Sequence, residues 1–273
     1  MVAMTEASRN VHVFQLEATG KGWEQWFLLS SDRHHDNAHC DWELEKKHLE
    51  QARERNAKVI DYGDLFCAMQ GKWDKRADLS QCRPEHQQGR YLDALVETAA
   101  EFYEPYADLF TIMGPGNHET SILKKHETHL TERLVERLNT KTGSEIRVSG
   151  YSGWVRFCIQ RGGFYKSYRM WYHHGWGGGG PVTRGVIQTN RTAVYLPDAH
   201  IIASGHTHDA WIVPIERVRL SDRDVVYKDT QYHVRTPGYK DEYDDGYGGW
   251  HIERGGPPKP LGAAWIRFYH DGY

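Results

Sequence analysis

The sequence predicts a mixed α/β fold, and two features of the chain carry this prediction. In the first half, short apolar runs alternate with amphipathic stretches, a pattern typical of strand–helix–strand units. In the second half, apolar and polar residues alternate between turn residues, which is typical of β-hairpins. A chain of 273 residues can bury a sizeable core. We therefore expect a single domain over residues 1–273.

The first half predicts three strands that are separated by helices. Asp41 is the expected N-cap of the first helix, and Pro84 is expected to open the second. The elements are strands at 26–31, 58–62 and 108–113, and helices at 42–55, from 84 onward and at 120–138. His126 and His129 of the last helix are expected to face solvent. An irregular insertion at about 65–83 reads equally well as a solvated loop or as a substrate-facing segment; its basic residues are Lys72, Lys75, Arg76 and Arg83.

The second half predicts a sheet built largely from hairpins. The expected strands lie near 146–148, 154–159, 167–172, 199–204, 211–218, 225–234 and 263–269, with a helix at about 181–193. The glycines at 177–180 lack the lysine and serine of a phosphate-binding loop, so they do not indicate a nucleotide site. A Gly/Tyr-rich C-terminal extension at about 237–260 is expected either to cover the site or to mediate assembly.

Composition excludes several classes of protein. The net charge is −3 and the pI is about 6.6, so no basic excess points to nucleic acid, although a local basic surface stays open. No apolar run approaches the roughly 20 residues of a membrane-spanning helix, and the N-terminus lacks a signal-type apolar run. The four cysteines form no CxxC pair, which argues against a disulfide framework and favours a cytoplasmic location.

Polar residues follow the predicted strands at five places. At one of them, Gly114 and Gly116 are expected to permit a tight turn with positive φ, so that Asn117 and His118 leave the strand end together. In Asp-x-His and His-x-His, the strand period of two should turn both side chains to one face. Such side chains are ligands for divalent metals. The five groups are Asp32 and His34, Gly63 and Asp64, Asn117 and His118, His174, and His206 and His208.

These motifs resemble those of the calcineurin-like metallophosphoesterase superfamily, whose order is D-x-H, G-D-x-x-D, G-N-H-[DE], H and G-H-x-H. The resemblance spans residues 32–208. It implies a four-layer αββα sandwich of two mixed β-sheets flanked by helices, with a two-metal site at the strand ends. The implied ligands are Asp32, His34, Asp64 and His208 for one metal, and Asp64, Asn117, His174 and His206 for the other. Asp64 would bridge the metals, and His118 would contact phosphate or protonate the leaving group.

The sequence departs from the family pattern in two respects. Cys67 stands where G-D-x-x-D has its final aspartate. The arginines of the protein phosphatase branch, which help to hold a phosphomonoester, are absent, and this favours phosphodiesters.

His173 is an alternative ligand to His174, which we prefer because the family's ligand directly precedes glycine. The residues next to the ligands are candidates for supporting or substrate contacts; they are Arg33, His35, Asp36 and Glu119.

The predicted activity is hydrolysis of phosphate esters, with phosphodiesters preferred. Hydroxide generated by two divalent metals would attack, and His118 would act as general acid. Manganese is the first choice of metal, with Fe, Zn, Ni or Mg as alternatives. The alternatives to a phosphodiesterase are a nuclease for DNA or RNA, a phosphomonoesterase or protein phosphatase, and a non-catalytic metal-binding scaffold. No membrane partner is expected.

Overall fold

The structure is a computed structural model that describes residues 2–70, 77–178, 180, 182–248 and 250–271. The strands are β1 (Val2–Ser8), β2 (Val11–Glu17), β3 (Glu24–Ser30), β4 (Lys58–Asp61), β5 (Phe110–Met113), β6 (Arg147–Val148), β7 (Ser152–Arg161), β8 (Phe164–His173), β9 (Ile201–Ser204), β10 (Trp211–Leu220), β11 (Val226–Arg235) and β12 (Ala264–Tyr269). The α-helices are α1 (Trp42–Glu54), α2 (Tyr91–Tyr103), α3 (Asn117–His126), α4 (Leu130–Thr142), α5 (Gln188–Tyr195) and α6 (Trp250–Glu253).

The described strands form two mixed sheets, as the predicted α/β sandwich requires. One sheet has five strands in the order β12-β3-β4-β5-β6, with β3 to β6 parallel and β12 antiparallel to β3. The other has seven strands in the order β1-β2-β7-β8-β9-β11-β10, in which β8, β9 and β11 are parallel. The carboxyl ends of β3, β4 and β5 therefore share one edge, and those of β8 and β9 share another.

Aromatic side chains fill the space between the two sheets. The ring of Phe27 on β3 lies edge-on to Phe14 and Phe157 of the seven-stranded sheet, at centroid distances of 5.0 and 4.7 Å. A second core, with Leu95 and Leu134, lies between the five-stranded sheet and the helices α1 to α4. Offset and edge-on aromatic pairs each add about 0.5–1.5 kcal/mol beyond their burial. The loops that follow β3, β4 and β5 therefore begin at strands that are packed on both faces.

Most predicted elements are confirmed within two or three residues, but the longest helix is not. The predicted helix at 120–138 is two helices, because Glu127 adopts a left-handed conformation with φ +53° and ends α3. His129 is half-buried and caps α4 by accepting a hydrogen bond from the backbone N–H of Glu132. His126 is also half-buried, so both histidines are less exposed than predicted. Residues 120–138 contain neither glycine nor proline, so the break between the two helices could not be predicted from the residues that usually end a helix.

Other boundaries also differ from the predictions. Pro84 opens only the 3₁₀ turn Pro84–His86, and the α-helix begins at Tyr91, after a turn that contains Gly89. The helix expected at 181–193 is Gln188–Tyr195. The insertion contains the 3₁₀ turn Leu79–Gln81, whereas Lys72, Lys75 and Arg76 lie outside the described residues. Strands β1 and β2 were not predicted.

Two further expectations concern the whole chain. All four cysteines are free and buried, in agreement with the predicted lack of a disulfide framework. Among the described residues, no helix is both long enough and apolar enough to span a bilayer.

Candidate metal centre

Side chains from two strand ends that are far apart in sequence meet in a first group of ligand-type residues. Asp32 follows β3 and is completely buried, and His208 follows β9. Nε2 of His208 lies 3.4 Å from Oδ1 of Asp32 and 3.2 Å from Nε2 of His34. The ligand atoms of these three residues all lie within 4.8 Å of one another. Such a triangle of nitrogen and carboxylate oxygen is suited to a divalent cation.

A second group lies beside the first. It consists of Asp64 after β4, His174 after β8 and His206 after β9, again with ligand atoms within 4.8 Å of one another. Nε2 of His174 lies 3.1 Å from Oδ2 of Asp64 and 3.0 Å from the amide oxygen of Asn117. The same nitrogen lies 4.0 Å from Oδ1 of Asp32. The two groups are therefore adjacent.

The Asp-x-His and His-x-His segments converge by a different route from the one predicted. Asp32, His34, His206 and His208 all have left-handed backbones, with φ of 53°, 47°, 74° and 53°. These segments are therefore not extended, and strand alternation does not explain why their side chains share a face. Non-glycine residues in this region are uncommon, and each costs of order 1–3 kcal/mol. Asp and His tolerate it better than most residues, and such strain clusters at functional sites.

Gly116 is required for close approach and not for positive φ, which corrects the sequence-based expectation. Its φ is −102°. A Cβ at this position would lie 2.1 Å from Oδ1 and 2.5 Å from the backbone nitrogen of Asp64. In the facing turn, Gly63 and Asp64 do adopt positive φ, at +114° and +53°, and a Cβ on Gly63 would meet the nitrogen of Gly116 at 2.5 Å. The two turns thus pack backbone against backbone, and this brings Asp64 to the centre.

His118 lies at the rim of the two groups, on the first turn of α3. Its backbone N–H donates to Oδ1 of Asp64 at 2.9 Å, and its Nε2 lies 3.7 Å from Oδ2 of the same residue. Nδ1 lies 2.5 Å from the carbonyl oxygen of Cys67. Both ring nitrogens are therefore oriented, and Nε2 is the one that faces the centre.

The electrostatic field of the centre favours positive charge. Burial would raise the pKa of Asp32 and Asp64, but His174 opposes this in both cases, helped by His208 beside Asp32 and by His118 beside Asp64, and both pKa values fall below normal. Burial would lower the pKa of His174, but Asp64 and Asp32 outweigh it and raise that pKa to about 9. Buried carboxylates that hold a neighbouring imidazole in its charged form create a place where a cation is stabilised.

The donor set fits a divalent cation on its own chemistry. Oδ1 of Asp32 is buried and has no hydrogen-bond partner among the described residues. A buried carboxylate oxygen without a partner is costly, and coordination would remove that cost. Carboxylate, imidazole and amide oxygen together suit Mn, Fe, Zn or Ni. The residues that could hold such ions are Asp32, His34, Asp64, Asn117, His174, His206 and His208.

A buried ionic network supports the loop that carries Asp32 and His34. The guanidinium of Arg33 has no exposure; it donates to Oε1 of Glu45 at 2.6 Å and to Oδ2 of Asp61 at 2.7 Å. His35 Nδ1 lies 3.0 Å from Oε2 of Glu45. Burial would raise the pKa of Glu45, but His35 and Arg33 lower it to about 2. The loop is therefore held in place by buried ion pairs of Arg33 and His35 with Glu45 and Asp61.

Two further carboxylates hold the neighbouring turns through backbone N–H groups. Glu119 accepts from the backbone N–H groups of Asp64, Phe66 and Gly116 at 3.1, 2.8 and 2.8 Å. Asp36 accepts from the N–H groups of Cys67 and Ala68 at 2.5 and 2.9 Å. Burial and the charge of Asp64 raise the pKa of Glu119 to about 8. Arg33, His35, Asp36 and Glu119 are thus all supporting residues, each through a defined contact.

The remaining sequence candidates lie outside the two groups or beside them. His173 is half-buried against Trp176, and its Nδ1 accepts from the N–H of Gly175 at 2.8 Å. Arg83 donates to the carbonyl oxygens of Asn37 and Cys40 and stacks on Trp42. It is therefore committed to the fold and does not form a free basic surface. The thiol of Cys67 lies within 4.8 Å of the ligand atoms of His34 and His118.

Sequence reasoning missed two carboxylates near the centre. Glu45 is completely buried on α1. Glu242 comes from the Gly/Tyr-rich extension, and its Oε1 lies 3.5 Å from Nδ1 of His208. Each pairs with a residue that only the tertiary fold brings near. No local sequence signal could have identified them.

Comparisons with known proteins identify no family. No protein-family model matches the sequence, and a search of curated proteins finds no match. Among solved structures, the chain is similar to a conserved uncharacterized protein from Streptococcus pneumoniae TIGR4 that is described as a predicted phosphoesterase. The similarity covers 79% of this chain and 74% of that chain, at 11% identity and a TM-score of 0.28. A likeness this weak carries no argument about fold or function.

Proposed function

We propose that this protein is a metal-dependent phosphoesterase that uses two divalent cations and prefers phosphodiesters. One observation carries the proposal: two groups of carboxylate and imidazole ligand atoms come from four strand ends, those of β3, β4, β8 and β9, and they are adjacent, since Nε2 of His174 in one group lies 4.0 Å from Oδ1 of Asp32 in the other. Adjacent ligand groups of this kind could hold a pair of cations, an arrangement that recurs in phosphate-ester hydrolysis. The sequence motifs support the same assignment.

The two cations would polarise the phosphoryl oxygens and make hydroxide available near neutral pH. Asp32, His34 and His208 would hold one of them, and Asn117, His174 and His206 the other, with Asp64 shared between them. As general acid, His118 would act with both ring nitrogens protonated: Nδ1–H donates to the Cys67 carbonyl oxygen, and the proton on Nε2 would pass to the leaving oxygen. Nε2 of His118 lies 3.7 Å from Oδ2 of Asp64, so a proton on Nε2 would face the centre at which the phosphate ester would bind.

The preference for diesters is supported by the two arginines that lie near the centre. Arg33 is completely buried under the centre and paired to two carboxylates, so it cannot hold a dianionic phosphomonoester. Arg235 is buried and donates to the carbonyl oxygen of Gly205, in the turn that precedes His206. A phosphodiester carries one charge fewer and needs less compensation from arginine.

No specific observation favours a nuclease or a scaffold. Arg83 is engaged by the fold, and the net charge is −3, whereas binding to a nucleic acid backbone depends on Lys and Arg. A non-catalytic scaffold would be expected to lose ligand residues, yet each of the seven implied metal-ligand positions holds a ligand-type side chain.

The test is metal-dependent hydrolysis of bis(p-nitrophenyl) phosphate and p-nitrophenyl phosphate side by side. Protein stripped of metal is reloaded with Mn, Ni, Zn or Mg. Asp64→Asn keeps the shape of the side chain and removes its charge, and Asp198→Asn, an exposed aspartate, is the matched control. We expect diester hydrolysis that requires metal and is lost only in Asp64→Asn. Faster monoester turnover would overturn the preference, and metal binding without turnover on either ester would favour the scaffold.

A further inference from the structure

The C-terminal extension is attached to the metal centre through its backbone. The N–H of Tyr239 donates to the carbonyl oxygen of Asp32 at 3.0 Å, and the carbonyl of Tyr239 accepts from the N–H of Asp41 at 2.9 Å. Lys240 forms an antiparallel bridge with Cys40. Gly238 packs so closely that a Cβ there would lie 2.6 Å from the Asp32 carbonyl oxygen. Residues 238–241 are therefore held against the loop that carries the first two ligands.

Three imidazoles of the centre share one arrangement of their ring nitrogens. His174 and His118 turn Nε2 toward Asp64, and their Nδ1 atoms face backbone carbonyl oxygens, of Tyr62 at 3.2 Å and of Cys67 at 2.5 Å. His208 turns Nε2 toward Asp32, while its Nδ1 faces Oε1 of Glu242 at 3.5 Å. Only in His208 is the oxygen opposite Nδ1 a side-chain carboxylate.

We propose that Glu242 is a positioning residue that accepts the Nδ1 proton of His208 and so presents Nε2 to a divalent cation. The inference rests on the proposed metal centre. An imidazole ligand has to be neutral and bind through one fixed nitrogen, and a carboxylate on the other nitrogen sets that tautomer and increases ligand basicity. The extension is thereby a part of the centre and not only a cover over it.

The surroundings of Glu242 keep its carboxylate in place. Nζ of Lys240 lies 3.4 Å from Oε2, so the two carboxylate oxygens of Glu242 face different partners. At the other end of the extension, Lys259 pairs with Asp209, the residue after His208, at 2.8 Å. Both ends of the extension thus flank the His208 turn, and Glu242 reaches it from a backbone that is already fixed.

The experiment measures the affinity of the full-length protein, stripped of metal, for Mn²⁺ by titration calorimetry. Loss of a partner of this kind lowers metal affinity about 10–100-fold, so we expect that loss in Glu242→Ala and a smaller one in Glu242→Gln, whose carbonyl oxygen can still accept. Glu253→Ala, which changes an exposed glutamate of the same extension, should bind as the wild type does. Circular dichroism of the metal-free variants checks that the fold is retained.

A second cycle separates positioning from general structural support. In a His208→Ala background, Glu242→Ala should cause no further loss of affinity, because the imidazole through which it acts is gone. An additional loss of the same size would overturn the inference, as would unchanged affinity in Glu242→Ala while the wild type binds Mn²⁺. A wild type that binds none of Mn²⁺, Ni²⁺, Zn²⁺ and Mg²⁺ would overturn the metal centre itself and this inference with it.

Discussion

Nδ1 of His118 lies 2.5 Å from the backbone carbonyl oxygen of Cys67. A carbonyl oxygen only accepts hydrogen bonds, so Nδ1 carries the proton and Nε2 is the nitrogen that exchanges one with a substrate. The position at which the motif family has an aspartate is Cys67, but the contact is made by its backbone. The side chain at 67 is therefore not what orients the imidazole.

His118→Asn is expected to lower turnover about 10²–10⁴-fold on an alkyl phosphodiester, because general acid catalysis supplies a contribution of this size. Metal content should not change, since the side chain is not among the proposed ligands. The loss should be smaller on bis(p-nitrophenyl) phosphate, whose leaving group needs no proton. Steady-state kinetics on both esters, with metal analysis of each preparation, measures the difference.

Two control variants accompany the His118 experiment. Cys67→Ser should retain turnover, because it leaves the backbone carbonyl in place. His126→Asn changes a half-buried histidine on the same helix and should also leave kinetics unchanged. An equal loss on good and poor leaving groups in His118→Asn would rule out proton delivery by this residue.

Gly116→Ala is expected to destabilise the protein and to displace Asp64, because the new Cβ would lie 2.1 Å from Oδ1 of Asp64. Overpacking of a tight site costs typically about 1–3 kcal/mol, and here the neighbour is backbone as well as side chain. Gly89→Ala is the matched control, since a Cβ there meets nothing within 4 Å. In Gly116→Ala, we expect a lower free energy of unfolding in urea and a lower affinity for Mn²⁺. In Gly89→Ala, we expect both quantities to equal those of the wild type. Wild-type metal affinity in Gly116→Ala would contradict the packing argument.

Arg33→Met is expected to lower the free energy of unfolding by about 3–5 kcal/mol, because it leaves two buried carboxylates without their cation. The affected residues are Glu45 and Asp61. Arg53→Met is the comparison: its pair with Asp108 is exposed, and such pairs contribute only about 0–1 kcal/mol. Urea denaturation of both variants measures the contrast. Similar losses would mean that the buried network does not stabilise the loop.

His233 is expected to make the protein less stable in acid. Burial, with a contribution from Arg217, lowers the pKa of His233 to about 4, whereas an unfolded chain has a histidine pKa near 6.5. Between these values the unfolded state binds a proton that the folded state does not, so the free energy of unfolding falls as the pH falls from about 6.5 to about 4.

His233→Gln removes this proton uptake. The difference in the free energy of unfolding between pH 7 and pH 5 should therefore be smaller in the variant than in the wild type. Denaturation of metal-free protein at both pH values measures it. Equal acid sensitivity of the two proteins would show that His233 titrates normally in the folded state.

The sequence by itself determined the residues that meet at the centre. Apolar runs that end in Asp, His or Asn are a local signal, and parallel strands bring their carboxyl ends to one edge whatever the rest of the chain does. That is why Asp32 and Asp64, which follow the parallel strands β3 and β4, could be expected to meet, whereas His174 follows β8 of the other sheet and reaches them through the packing of the two sheets. The order of strands and helices in the first half has the same origin, because periodicity is a property of neighbouring residues.

Only the tertiary structure decided how these residues meet and what supports them. The left-handed backbones of Asp32 and His208 are imposed by the turns that pack around them, and no residue pattern announces them. Glu45 is buried because Arg33 reaches it through the core, and Glu242 faces His208 from 34 positions further along the chain. Charge pairing of this kind depends on distance in space, about which the order of residues along the chain carries no information.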